Sequence, residues 1–293
     1  LFFCSNSVYA SANGDEYIFH QLNIEDGLSQ STVLSIIQDH KGYMWFGTAF
    51  GLNKFDGYNF TIYTSIANDS TKLSDNRVTC LFEDREKTLW IGTINGTLSR
   101  YNRNTNTFSN ISFIDTINLL YNVPDQYYEY PISFSRNDNH SITSIVEDEE
   151  GYLWIGTWGK GLFRFDKKNK SYLHFYHSPN DNSSLSFNRI SKVLVDHSGV
   201  MWVATFGGGL NKVIKNNSAI TFKSFKNNIN DNSSLSDDKV ISLFEDKNYE
   251  LWIGTYYGGL NRLKLEESIY EDKPLIFHNY RYNPGVKSGL SNN

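Results

Sequence analysis

Cysteine, proline and methionine are scarce in this 293-residue chain, with two, five and two copies. Cys4 and Cys80 are too few for a disulfide framework, and Cys4 sits in an apolar N-terminal stretch of its own. No run of about 20 apolar residues is present, which excludes a membrane-spanning helix from this portion. Acidic or basic runs are also missing: the net charge of −5 is spread evenly, so the footprint of a nucleic-acid binder is absent. None of the seven histidines has zinc-type spacing, and His174 and His177 lie on one short segment. There is no glycine-rich phosphate loop and no nucleophile elbow. The linear sequence therefore offers no catalytic residue, metal ligand set or cofactor, although a site assembled from distant segments would escape this reading.

What the chain has in quantity is Asn, Ser, Tyr and Phe, a composition suited to short strands joined by polar turns. It also repeats itself. Asp39, Asp84, Asp148, Asp196 and Asp246 are each followed six residues later by Trp45, Trp90, Trp154, Trp202 and Trp252. After each tryptophan come an apolar residue, a small residue and a threonine, as in Ile91-Gly92-Thr93 and Val203-Ala204-Thr205. Twelve residues before each tryptophan stands a β-branched residue: Val33, Val78, Ile142, Ile190 or Val240. Successive tryptophans are 45, 64, 48 and 50 residues apart. Apart from one insertion, that is the period of a four-stranded propeller blade.

The second repeat divides cleanly. Val78–Phe82 reads as a first strand, apolar because neighbouring blades cover both of its faces, and Glu83–Lys87 as a hairpin turn. Leu89–Thr93 and Thr97–Tyr101 follow as second and third strands, and a fourth begins at Thr107. The recurring aspartate is expected to accept hydrogen bonds from turn amides, a commoner role than catalysis for a residue present once per hairpin. The small residue after the tryptophan is expected where adjacent blades approach closely. The fold class is all-β, a β-propeller of four-stranded antiparallel blades.

Gly27-Leu28-Ser29 leading to Ile37-Gln38-Asp39, then Leu153-Trp154-Ile155-Gly156-Thr157 and Gly258-Gly259-Leu260-Asn261-Arg262, resemble the two-component regulator propeller repeat. The resemblance extends from about Tyr17 to Asn293. Ala204 departs from it where other repeats have glycine, and so does Asn95-Gly96-Thr97 where later repeats have a glycine pair. It implies the extracytoplasmic (periplasmic or cell-surface) sensor region of a membrane-anchored bacterial receptor. It further implies seven or more blades in the whole propeller, a membrane span, a histidine kinase or cyclase output beyond it, and a homodimeric receptor. The ligand it implies is an oligosaccharide or similar small molecule.

The expected segmentation begins with residues 1–14 as the remnant of an export signal, with Ala10-Ser11-Ala12 as a small-x-small cleavage site. Residues 15–26 then supply a fourth strand that closes the last blade. Blades follow at 27–72, 73–139, 140–184, 185–234 and 235–287, the second with an insertion at 115–136, and residues 288–293 open a sixth repeat. The insertion, rich in tyrosine, is expected to overhang the loop face as a lid or rim.

Once the repeats are stacked, two positions refuse to repeat. The loop from second to third strand carries Phe50, Trp158, Phe206, Tyr256 and Tyr257. These rings either offer platforms for sugars or fold down onto the next blade. The residue before each first strand is Thr32, Arg77, Ser141, Arg189 or Lys239. Arg77, Arg189 and Lys239 either hold carboxylate or sulfate groups of a ligand or pair with nearby acids such as Asp75, Asp181 and Asp237. A propeller lyase or hydrolase, and a scaffold for protein contacts, are the alternative functions.

Overall fold

In the computed structural model, the described residues are 11–12, 15–16, 21–113, 140–216, 219–265, 274–285, 290 and 292. They form five four-stranded antiparallel sheets, each built in chain order from an inner to an outer strand. The first sheet comprises β3 (Val33–Gln38), β4 (Met44–Thr48), β5 (Gly51–Phe55) and β6 (Phe60–Tyr63). The second comprises β7 (Val78–Glu83), β8 (Leu89–Thr93), β9 (Thr97–Asn102) and β10 (Thr107–Ser112). In the third are β11 (Ile142–Glu147), β12 (Leu153–Thr157), β13 (Leu162–Asp166) and β14 (Ser171–Phe175). The fourth contains β15 (Ile190–Val195), β16 (Met201–Thr205), β17 (Gly209–Asn216) and β18 (Ala219–Phe225). The fifth contains β19 (Val240–Glu245), β20 (Glu250–Thr255), β21 (Leu260–Lys264) and β22 (His278–Tyr280). Inner strands meet in the order β3, β7, β11, β15 and β19, the arrangement of propeller blades.

Near the N-terminus, β1 (Ser11–Ala12) pairs with β2 (Asp15–Glu16) in a minimal hairpin. Residues 17–20, the core of the expected closing strand, lie outside the described residues, and Gln21 and Leu22 are not in a strand. The insertion at 115–136, most of the export-signal segment and most of residues 288–293 also lie outside them.

Each blade turns its first hairpin in the same way. Asp148 Oδ1 accepts the amide of Tyr152 at 3.0 Å, while Oδ2 accepts Trp154 Nε1 at 2.8 Å. The other four aspartates bond their own tryptophans at 2.8–3.0 Å. The turn-amide role is therefore present, and a second role accompanies it. The tryptophan is drawn to the aspartate because a buried indole N–H needs an acceptor.

Three devices lock blade to blade. The small residue of each second strand admits the next inner strand: a Cβ on Gly156 would lie 2.6 Å from Ile190 Cγ2, and one on Gly47 2.6 Å from Val78 Cγ1. Each inner strand also begins with a register shift, a bulge. The bulged hydroxyls of Thr79, Thr143 and Ser191 donate to the next blade's Ile142, Ile190 and Val240 carbonyls at 2.6–2.7 Å. At the turn end of the blades, Arg103, Lys167 and Lys215 reach back to Asp39, Asp84 and Asp148 of the preceding blade at 2.7–3.0 Å.

Between seams, the core is layered in apolar clusters that cross from blade to blade, one of them joining Trp202 to Leu243, Leu251 and Leu265. The outer blades expose apolar side chains of their inner strands, Leu34 and Ile36 in the first and Ile241 and Phe244 in the fifth.

Candidate functional site

The loop from second to third strand and the residue before the first strand meet at one end of every blade, because a backbone bond ties them. The amides of Ile94, Trp158, Phe206 and Tyr256 donate to the carbonyls of Arg77, Ser141, Arg189 and Lys239 at 2.9–3.1 Å, and that of Ala49 to Thr32 at 3.4 Å. A second bond crosses three of the four seams: Gly51, Gly161 and Gly209 donate to Asn76, Asn188 and Asp238 of the next blade. The two variable positions of the sequence are thus brought together on a common face. Phe206 of the fourth blade lies beside Lys239, the pre-strand residue of the fifth.

Stacking the loops separates two kinds of aromatic that the sequence reading had grouped. Trp158, Phe206 and Tyr256 occupy the first loop position, and Trp158 and Phe206 are only 2% exposed. Their rings form a continuous arc over blades three to five: Trp158 to Phe206 at 5.3 Å, Phe206 to Tyr256 at 5.4 Å, and Tyr256 to Tyr257 at 4.4 Å. Phe50 and Tyr257 occupy the second position, and each is 59% exposed. Phe50, in the first blade, is separated from the arc by Ile94 of the second. The first-position rings have folded down onto their neighbours, and the second-position rings remain open to solvent.

The cations divide in the same manner. Arg189 is buried and Arg77 half-buried. Lys239 places Nζ 5.7 Å from the Phe206 ring, 5.8 Å from Tyr256 and 5.2 Å from Tyr257. An isolated bridge joins the backbones of Phe206 and Lys239 across the seam. The acids expected as partners serve the backbone. Asp75 accepts the Arg77 amide at 2.8 Å, and Asp237 accepts those of Lys239 at 2.9 Å and Tyr257 at 3.0 Å. Asp181 accepts Ser183 in the preceding loop. Burial pushes the Asp238 carboxyl above the usual carboxylate range, against the bond it accepts from Asn227.

The best-defined solvent-facing cluster is therefore the exposed Tyr257 with the half-buried Lys239 and Asp237, mounted on an aromatic base at the junction of blades four and five. Sequence reasoning named Tyr257 and Lys239 as site residues but treated Asp237 only as a neutralising partner. The signal for its position was the side-chain-to-backbone turn that an aspartate two residues before Lys239 permits. At the same end, on the outer strand of the third blade, His174 stacks on Phe163 at 4.4 Å and bonds the Lys160 carbonyl, and burial lowers its pKa. Cys80 is buried with its thiol pushed up to about 12, which leaves it unreactive. Among the described residues no three of His, Cys, Asp and Glu gather as a metal site.

Residues 27–50, 72–95, 135–159 and 234–257 match the two component regulator propeller family. Each matched segment runs from about the start of a blade through its second-to-third-strand loop. Four segments of the chain therefore carry the two-component regulator propeller repeat. Over 74 residues it is 42% identical to histidine kinase P4 of Formosa agariphila, a match covering 25% of this chain and 5% of that protein. A crystal structure described as the extracellular domain of a hybrid two-component system of B. thetaiotaomicron is 25% identical, with a TM-score of 0.57 over 85% of this chain and 31% of that one. A second such domain from the same organism gives 23% identity and a TM-score of 0.55 over 93% and 38%. Virginiamycin B lyase of Staphylococcus aureus shares the fold at 14% identity, TM-score 0.56, over 87% and 71%. The chain spans well under half the length of these signalling relatives.

Proposed function

We propose that this propeller is a binding module that senses an extracellular oligosaccharide at the loop end of blades four and five. The observation that carries the reading is the exposed Tyr257 ring, fixed by its amide to Asp237 and flanked by the Lys239 ammonium. An exposed ring on a rigid base is the platform on which an apolar sugar face stacks, and a neighbouring cation and carboxylate are the partners its hydroxyl groups require. The buried arc beneath holds the platform still, so that little ordering cost falls on binding.

In this reading, further blades of the same receptor cover the apolar inner-strand residues left exposed on the first and fifth blades. The receptor is periplasmic on its sensing side and continues to a membrane-linked kinase or cyclase output. It acts as a homodimer whose packing the ligand biases by preferring one arrangement. The test is calorimetric titration of the chain with an oligosaccharide panel, repeated on Tyr257→Ala and Lys239→Met. Saturable binding that falls about tenfold or more in Tyr257→Ala supports the reading. Binding indifferent to both substitutions refutes it.

A further inference from the structure

At the turn end of the blades, the cations that cross the seams have their acids: Arg103, Lys167 and Lys215 each lie within 3.0 Å of a carboxylate of the preceding blade. Lys239, at the loop end, is held differently. Its half-buried ammonium stands 5.7, 5.8 and 5.2 Å from the Phe206, Tyr256 and Tyr257 rings, which attract it to their faces. Among the described residues it forms no ion pair.

The acids next to it in sequence are engaged elsewhere. Asp237 gives one oxygen to the Lys239 amide at 2.9 Å and the other to the Tyr257 amide at 3.0 Å. Asp238 accepts the Asn227 amide at 2.7 Å and faces Lys226 as well as Asp237, while burial works against its ionised form. In two other seams the equivalent residues are Asn76 and Asn188, which accept the amides of Ser65 and His177 at the same 2.7 Å. That bond closes the strap between blades and needs no charge. Neither acid neutralises the Lys239 ammonium.

A second cation stands at this end. Arg281 follows β22, whose last residue, Tyr280, pairs with Leu260 at the foot of the loop that carries Tyr257. Exposed itself, it donates Nη2 to the Ser236 carbonyl at 3.2 Å, beside Asp237, and that is one of its five donors. The loop end of the fifth blade thus sets Lys226, Lys239 and Arg281 against Asp237 and Asp238, a local positive excess in a chain of net charge −5. An anion arriving at Lys239 displaces no existing ion pair and meets an ammonium whose place is already fixed. The bond it forms is charge-assisted on both sides, which a neutral hydroxyl group cannot match.

The exposed ring beside the cation says what carries the anion. Tyr257 offers a flat face to a pyranose, and an acidic substituent of a sugar stacked there projects from the sugar's edge. The ammonium, 5.2 Å from the centre of that ring, is within reach of it. A small inorganic anion would use the cation and leave the ring uncovered.

We propose that the loop-end site takes an acidic saccharide, whose carboxylate or sulfate group pairs with the Lys239 ammonium while its ring stacks on Tyr257. This rests on the saccharide reading above and adds charge selectivity to it, with Lys239 as the selecting residue and Arg281 as the second cation.

Two matched pairs of probes, titrated into the chain by calorimetry, test the proposal and separate the two acidic groups. Tetragalacturonate is compared with its methyl ester, and sulfated neocarratetraose with its desulfated form. The expected result is saturable binding of at least one acidic probe, about tenfold or more tighter than its neutral partner, the increment of one charge-assisted hydrogen bond. Added salt should weaken the acidic probe and leave the neutral one unchanged, because salt screens a partly exposed ion pair. Lys239→Met should bring the acidic probe down to its neutral partner, Lys239→Arg should keep the preference, and Tyr257→Ala should weaken both members of the pair. Thermal melts establish that each variant is folded. The proposal is overturned if neutral probes bind as well as acidic ones, if the preference survives Lys239→Met, or if neither acidic probe binds. Neutral saccharides that bind and are lost in Tyr257→Ala would leave the saccharide reading standing without the charge.

Discussion

The ammonium group of Lys167, in the third blade, lies 3.0 Å from Oδ2 of Asp84 in the second, the same oxygen that accepts the indole N–H of Trp90 at 2.8 Å. One carboxylate thus closes its own hairpin, seats its own tryptophan and fastens the following blade. Lys167 also bonds Glu147 at 2.7 Å, and both acids are nearly inaccessible. Lys167→Met would strand two buried carboxylates. The expected cost is about 3 kcal/mol, since removing one partner of a buried pair exceeds the pair's net worth. Urea unfolding measures it, and Lys167→Met with Asp84→Asn should lose less than the sum of the two single changes.

The same network sets the pH range of stability. Burial raises the carboxyls of Asp39, Asp84 and Asp148, but bonds from their tryptophans and from Arg103, Lys167 and Lys215 outweigh it and leave all three below the ordinary range. A depressed folded pKa contributes stability in full above the unfolded value, about 3.9, and loses it as pH falls through the folded value. For Lys167, burial lowers the pKa, but Glu147 and Asp84 raise it further. Its contribution is complete below about 10.4 and is lost as pH rises through the higher folded value. Stability should therefore be flat with respect to these groups between those limits and fall outside them. Thermal melts followed by tryptophan fluorescence from pH 2 to 12 would show it. A loss centred near neutrality in Lys167→Met and wild type alike would count against this assignment.

Much of the fold was legible because the aspartate–tryptophan clause recurs with fixed spacing, and a hydrogen bond within one hairpin needs only six residues of sequence to declare itself. What joins one blade to the next was not. Arg103, Lys167 and Lys215 stand three residues after the residue paired with each tryptophan. That offset becomes visible only when strand register is known. Leu265 occupies it in the fifth blade and packs with Trp202, so this seam is apolar where the three before it are ionic. There, the Asp196 carboxylate accepts from Ser198, Val200 and Trp202. At the candidate site, the sequence located the variable positions but not their depth: Ala49 aligns with Trp158, and Phe50 with Gly159. A one-residue offset in a tight loop decides which ring is covered.

Gly156 tests how tightly the seams are packed. Its missing Cβ would lie 2.6 Å from Ile190 Cγ2, 3.1 Å from Ile190 Cβ and 3.3 Å from Val193 Cγ2. Gly156→Ala should cost about 1–3 kcal/mol, the usual range for overpacking. Because the sharpest clash is with Ile190 Cγ2, Ile190→Ala, which removes that methyl group, relieves it, and the double variant should be more stable than the two single losses predict. Denaturant melts of the four proteins complete the cycle. Additive losses would mean that the backbone absorbs the methyl group.

Trp158 and Tyr257 should separate stability from recognition, although both belong to the loop aromatics. Trp158 is enclosed, packs on Phe206 and begins the arc that supports the fifth blade's loop. Trp158→Ala empties a buried site, so a stability loss of about 3–5 kcal/mol is expected, with weakened binding only as a consequence of a loosened base. Tyr257 is held by a backbone bond to Asp237 that survives truncation of its ring. Tyr257→Ala should therefore leave the melting curve within about 0.5 kcal/mol of wild type, as for an exposed position, while removing the stacking surface. Measured together by thermal melt and oligosaccharide titration, the pair distinguishes a platform from its foundation. If Trp158→Ala kept full stability and lost binding, the buried arc and not the exposed ring would be the recognition element.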